Sequence, residues 1–236
     1  MSLNQRIELI KKQIIPAALK AGTNPDNVCI VCVTKYAEIE DVISVIKLGF
    51  YDIAENYLQE ANRKRELLKA ALSLAQFERI NWHFIGHLQR NKAAEVMEFA
   101  RLIQSVDSLR LAKRISEIAG KADKPANILV QVNIAEEKAK FGAAFSEVEK
   151  LLPEILKLPY LNIQGFMGIG PLFADPEDSR VGFRQLKLCF DKMNDYLSQT
   201  EYPQMSILSM GMSNDYKIAL EEGSNMIRIG SAIFGG

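Results

Sequence analysis

Apolar residues recur three and four positions apart at Leu3, Ile7, Ile10, Ile14 and Ala17 or Ala18, and the pattern stops at Ala21-Gly22. This spacing predicts one amphipathic helix over residues 1–22, with Pro16 as a point of possible kinking. From residue 27 the period changes. Short runs rich in apolar and β-branched residues at 27–35, 51–56, 81–86, 102–107, 127–133, 162–170, 206–212 and 226–235 predict eight strands. Segments with helical spacing separate them at 38–48, 56–78, 89–100, 108–120, 144–157, 178–199 and 214–222. Asp107 or Ser108, and Ser213 or Asn214, stand where caps belong. Regular strand-then-helix alternation implies parallel strands, since each parallel partner is reached by a long crossover, and eight such strands close into a barrel. The expected architecture is α/β: a single (β/α)8 TIM-like barrel spanning 1–236 as one domain, with the additional N-terminal helix packed on it. A doubly wound open sheet is the competing fold. Against it, the turn TKYAE (34–38) after the first strand has no glycine-rich nucleotide fingerprint. The polar stretch FADPEDSR (173–180) reads as a loop.

Composition narrows the partners. With 236 residues and 48% hydrophobic content the chain supports one sizeable core. Its 29 basic and 29 acidic residues cancel, so no long-range field recruits nucleic acid or an anionic membrane, and a small molecule or a protein is the expected partner. No apolar run reaches the roughly 18 residues of a membrane span, and no export signal opens the chain, which points to the cytoplasm. Cys29 and Cys32 have C-x-x-C spacing, but in a strand positions three apart face opposite sides, so packing is the reading for both. With Cys189 the third cysteine, no disulfide framework is indicated.

In a parallel barrel the ligand face is where strands end. Lys35, Asn56, His87 and Asn133 all close or follow apolar runs. A lysine in that position is ordinarily just solvated. Two features farther along give it a partner: G-M-S-N-D at Gly211 to Asp215, expected to open a helix, and R-I-G-S at Arg228 to Ser231, expected within the eighth strand. Unpaired backbone N–H groups and glycines let an oxyanion approach the main chain, and barrels commonly hold phosphate after strands seven and eight. A lysine and a phosphate cradle on one face fit a phosphorylated aldehyde such as pyridoxal phosphate. Condensation requires a neutral amine, which partial desolvation and a nearby Arg228 both favour. A cationic Arg228 near the pyridine nitrogen also disfavours ring protonation, and an unprotonated ring is a poorer electron sink.

The residues carry a family pattern: V-C-V-T-K-Y at Val31 to Tyr36, A-E-N-Y-L-Q-E at Ala54 to Glu60, W-H-F-I-G-H-L-Q-R-N-K at Trp82 to Lys92 and V-Q-V-N-I at Val130 to Ile134. K-F-G at Lys140 to Gly142, G-F-M-G-I at Gly165 to Ile169, L-S-M-G-M-S-N-D at Leu208 to Asp215 and I-R-I-G-S-A-I-F-G at Ile227 to Gly235 continue it. In this order the chain resembles the pyridoxal phosphate homeostasis proteins, relatives of the barrel domain of bacterial alanine racemase. The resemblance implies that Lys35 holds pyridoxal phosphate as a Schiff base and that Ser213, Gly230 and Ser231 contact its phosphate. It also implies that Arg228 faces the pyridine nitrogen and that Asn56 lies beside the cofactor. Where many members have F-G-E-N this chain has Ile53-Ala54-Glu55-Asn56, and Tyr36-Ala37 replaces the common T-K-P after the lysine.

Alanine racemase relatives add a second domain whose tyrosine acts as a base across a dimer. No counterpart follows the eighth strand here, so the expectation is a non-catalytic, monomeric carrier that serves vitamin B6 homeostasis and supplies apo-enzymes. An amino-acid racemase is the alternative, and a lysine Schiff-base aldolase a more distant one. His83 and His87 are four apart, but Gly86 and the W-H-F-I run favour strand and loop over a metal-binding helix, so no metal site is expected. His87 is expected on the ligand face and His83 packed or hydrogen-bonded. Arg63-Lys64-Arg65, flanked by Glu60 and Glu66, reads as a solvated helix face. Trp82 and the methionines of the seventh strand read as core or pocket lining.

Overall fold

The computed structural model describes residues 1–134, 141–170 and 175–235. Helix α1 (Leu3–Lys20) comes first, capped by Ser2, whose hydroxyl accepts from the Gln5 N–H while the Gln5 side chain accepts from the Ser2 N–H. It runs through Pro16 as one element and buries Ile7, Ile10, Ile14, Ala17 and Ala18. Strand β1 (Cys29–Val33) and α2 (Ile39–Lys47) begin the alternation, followed by β2 (Asp52–Glu55), α3 (Leu58–Ala71), α4 (Leu74–Glu78) and β3 (Asn81–Phe84). Then come α5 (Ala93–Met97), β4 (Leu102–Val106), α6 (Leu109–Lys121), β5 (Ala126–Asn133), α7 (Phe145–Leu156), β6 (Leu161–Ile169) and α8 (Arg180–Leu197). The chain finishes with β7 (Ile207–Ser209), α9 (Tyr216–Glu221), β8 (Met226–Ile229) and α10 (Ser231–Phe234). All eight strands pair in parallel in sequence order, and β8 closes on β1 with Ile30 opposite Ile227 and Val31 opposite Arg228. The fold is a closed (β/α)8 barrel with an extra N-terminal helix.

Strand alternation divides the interior in two. Outward positions such as Cys32, Ile53, Trp82, Phe84, Ile103, Val130, Phe166 and Ile227 form the large layer between sheet and helices. Inward positions Val31, Ala54, Leu102, Leu129, Met167 and Met226 form a smaller cluster inside the barrel. Cys29 packs on the inner cluster and Cys32 belongs to the outer one, on opposite sides of β1. Burial, helped by Asp52, pushes both thiols up to about 12 from an ordinary 9.0. Roughly a thousandfold less thiolate should therefore be present at pH 8 than in the unfolded chain. Iodoacetamide at that pH is expected to label Cys29 and Cys32 only after denaturation, as peptide mapping would read.

Several boundaries differ from the sequence expectation, among them the seventh strand, expected over 206–212, which runs only over Ile207–Ser209. The helix expected over 56–78 is two, because Leu72 turns extended and Ser73 starts α4 with a capping box to Gln76. The segment 89–100 holds a 3-10 turn (Arg90–Lys92) before the short α5. The eighth strand stops at Ile229, so Gly230 caps and Ser231 begins a helix and neither lies in the strand. Of the loop expected at 173–180, the first two residues lie outside the described ones, Pro176–Ser179 form a 3-10 turn and Arg180 starts α8. Helix α1 lies against α9 and α10. Its Arg6 donates from Nε to the Ile233 carbonyl at 2.5 Å and from Nη2 to that of Phe234 at 3.3 Å.

Candidate functional site

Strand β1 delivers Lys35 into a tight turn at the C-terminal mouth of the barrel, closed by the Ala37 N–H on the Thr34 carbonyl at 2.9 Å. The Lys35 ammonium lies 5.1 Å from the centre of the Tyr36 ring, which is 80% exposed. Behind this turn is a buried charge cluster. Lys64 Nζ donates to Glu55 Oε1 at 2.8 Å and to the Thr34 carbonyl, while the Thr34 hydroxyl donates to the same Glu55 oxygen at 2.5 Å. The side chains of Lys64 and Glu55 are only 1% and 0% exposed. The expectation of a solvated Arg63-Lys64-Arg65 face is thus wrong for its middle member. Lys64 shares the inward face of α3 with Ala61 and Leu68, three and four residues away, a spacing that marks a core position whatever the side chain. Arg63 pairs with Glu60 at 2.9 Å on the exposed face, as expected, and Arg65 lies over the Phe99 ring.

On the other side of the mouth, Gly211 takes a φ of +94°, and a Cβ there would lie 2.5 Å from that of Ala219. Only glycine turns the chain this tightly from β7 toward α9. The Met212 N–H donates to Asp215 Oδ1 at 2.7 Å. Asp215, not Ser213 or Asn214, stands at the N-cap of α9. Ser213 instead reaches across to the end of β8, where its Oγ accepts from the Gly230 and Ala232 N–H groups, each at 3.2 Å. The Ser213 hydroxyl therefore occupies the point on which two backbone donors converge, and keeps its own hydrogen to donate. At β8 itself, inward-facing Arg228 is 3% exposed; its Nη1 donates to the Ser209 carbonyl at 2.9 Å and hydroxyl at 2.7 Å, and its Nη2 to the Gly168 carbonyl at 2.7 Å. None of these bonds uses Nε. Burial, partly opposed by Asp215, pulls the guanidinium down to about 10, so it stays a cation at neutral pH.

One cavity of about 420 Å³, within the ordinary size range of ligand sites, is lined by Lys35, Asn56, Ser213, Arg228, Gly230 and Ser231 together. Tyr36, Ile169, Met212 and Phe234 supply apolar wall. The Asn56 side-chain oxygen is buried without a partner. Gly86 explains how Asn56 comes so near: a Cβ at Gly86 would lie 1.9 Å from the Asn56 carbonyl oxygen. His87 does not line this cavity. It stacks on Phe141 at 3.7 Å with its Nδ1 3.4 Å from Asp107 Oδ2. Asn133 ends β5 and is buried. His83 is inside the barrel, bonded to Asp52 and Gln104, and among the described residues no cluster of three metal-ligating side chains occurs. No helix among the described residues is long and apolar enough to cross a membrane. Sequence reasoning missed Lys64, Gln104 and Ser209; the helical phase of Lys64 and the strand phase of the other two were the available signals.

Comparison with known proteins adds four findings. Residues 17–236 match the family described as the alanine racemase N-terminal domain. A pyridoxal phosphate homeostasis protein of Synechocystis is 39% identical over 216 residues, covering 91% of this chain and 94% of the relative. The solved structure of PipY from Synechococcus elongatus with pyridoxal phosphate bound superposes with a TM-score of 0.83 at 27% identity, covering 99% of this chain and 100% of that one. An alanine racemase of Clostridium difficile shares the fold alone, with a TM-score of 0.66 at 17% identity and 56% of its length covered.

Proposed function

This chain belongs to the pyridoxal phosphate homeostasis proteins, within the alanine racemase N-terminal domain family, and on that premise we propose that it holds pyridoxal phosphate through Lys35 and serves the supply of that cofactor without turning over a substrate. The observation that carries the reading is the convergence of an amine, a buried cation and an oxyanion cradle on one cavity. The residues fit the group: the Ser213 hydroxyl, held by the Gly230 and Ala232 N–H groups, has a hydrogen to offer a phosphate, and the orphaned Asn56 oxygen lies beside the same cavity. Bound there, the cofactor supplies an aldehyde that condenses with a primary amine and a ring able to take up electrons.

In this reading Lys35 provides the amine, from a turn that Lys64 braces through the Thr34 carbonyl. Ser213, Gly230 and Ser231 hold the phosphate. Arg228, a buried cation on the cavity wall, would stand toward the ring nitrogen and disfavour its protonation, which suits retention over catalysis. The protein acts as a monomer in the cytoplasm and hands the cofactor to apo-enzymes.

Titration with pyridoxal phosphate should turn the protein yellow, and borohydride should fix a pyridoxyl adduct on Lys35. The loaded protein should then activate an apo-enzyme, and amino acids incubated with it in deuterated water should gain no α-deuterium at enzymic rates. A colourless protein overturns the reading, and rapid sustained exchange replaces it with a racemase.

A further inference from the structure

The inside of the barrel carries a line of polar side chains that the ligand cavity does not account for. Ser209 and Gln104 are 0% exposed and His83 is 3% exposed, each on an inward strand position that its neighbours fill with aliphatic or thioether side chains. Arg228 Nη1 lies 2.7 Å from Ser209 Oγ, which lies 2.7 Å from Gln104 Oε1. Gln104 Nε2 lies 2.9 Å from His83 Nδ1, and His83 Nε2 lies 3.1 Å from Asp52 Oδ1.

The two ends dictate the direction of every bond. Guanidinium has donors only, so Ser209 Oγ accepts from Arg228, and its own hydrogen goes to Gln104 Oε1. The Gln104 amide nitrogen then faces His83, with the Met226 sulfur as a second acceptor at 3.4 Å. His83 Nδ1 therefore accepts, and the ring carries its proton on Nε2, aimed at the acceptor-only Asp52 carboxylate. Asn81 Nδ2 donates to that carboxylate at 3.3 Å. Four consecutive bonds run one way, from a cation at the ligand face to an anion at the opposite end of the strands. Dipoles aligned in this sense reinforce one another, and none can reverse alone without setting donor against donor.

We propose that Ser209, Gln104 and His83 are positioning residues: a one-way hydrogen-bond relay, anchored on Asp52, that fixes the orientation of the Arg228 guanidinium against the bound ligand. The ligand half of this inference rests on the carrier reading above. The relay itself does not, and two measurements on ligand-free protein address it directly. The chain has two histidines, so a His87→Gln variant assigns the imidazole nitrogen signals in NMR spectra. His83 should be a single Nε2–H tautomer, and the Arg228 Nε–H resonance should be sharp.

Two variants away from the cavity then break the line, Ser209→Ala and the near-isosteric Gln104→Met. Both should broaden the Arg228 resonance, and Gln104→Met should mix the His83 tautomers. With pyridoxal phosphate as probe, both should bind about tenfold more weakly, the scale of one hydrogen bond to a charged group, and shift the visible absorption maximum. A side chain that only fills the core would lower the unfolding midpoint and leave the absorption maximum in place. An Nδ1–H His83 in the wild type, or both variants matching wild type in Arg228 resonance, affinity and absorption, overturns the relay. If the wild type takes up no pyridoxal phosphate, the carrier reading falls, and the tautomer and Arg228 signals still decide whether the relay exists.

Discussion

Lys35→Ala is expected to abolish the yellow colour on addition of pyridoxal phosphate and to leave borohydride with no adduct at the barrel mouth. The cavity of that variant still contains Ser213, Gly230, Ser231 and Arg228, so the phosphate contacts proposed above would survive and the ligand should bind weakly and without a covalent bond. Isothermal titration separates the two losses. Affinity should drop at least about a hundredfold, because a covalent link whose alternative is free diffusion is worth several kcal/mol of pre-organised contact. Lys35 is half-buried in a turn and takes no part in the Lys64 cluster, so the unfolding midpoint should stay near wild type. Another lysine taking up the adduct would refute the assignment.

Lys64→Met should have the larger effect on the fold. Removing one partner of a buried ion pair leaves the other charge without compensation, and such changes cost about 3–5 kcal/mol. Here the stranded group is Glu55, whose Oε2 already lacks a partner and whose Oε1 would keep only the Thr34 hydroxyl. Urea denaturation should show that loss as a lower midpoint with an unchanged slope. The double variant Lys64→Met with Glu55→Leu should recover most of the stability, since two apolar side chains of similar volume avoid both desolvation penalties. It should not recover tight ligand binding, because the Thr34 carbonyl beside Lys35 keeps the Ala37 N–H but still lacks the Lys64 ammonium. A single variant within about 1 kcal/mol of wild type would refute the pair's structural weight.

The barrel was legible because parallel strands buried on both faces appear as short apolar runs, and each run here is followed by a stretch with a different period. The six expected ligand residues lie at strand ends or just beyond, and all line one cavity. Misreadings came where charge or apolarity masked geometry. Lys64 stands between Arg63 and Arg65, and that basic run masked its place on the Ala61–Leu68 face. The run Ser231 to Phe234 is apolar enough to pass for the tail of a strand, yet it coils into α10 because Gly230 breaks the extended backbone. Ser73 looked like one polar residue in a long helix, and its capping partner Gln76 shows that it starts a new one. Gln104 and Ser209 were invisible as a pair: they are 105 residues apart, and only barrel closure brings their side chains together.

The Arg6 clamp on the Ile233 and Phe234 carbonyls ties α1 to the wall of the cavity. Those carbonyls belong to α10, which begins at Ser231 on the cavity wall and contributes the Ala232 N–H to the cradle. Linkage is reciprocal: whatever the helix outside the barrel gains when the phosphate is held, the phosphate loses when that helix comes loose. With the cofactor held as proposed, two proteins with identical barrel mouths would differ in how long they retain it if this helix fitted differently.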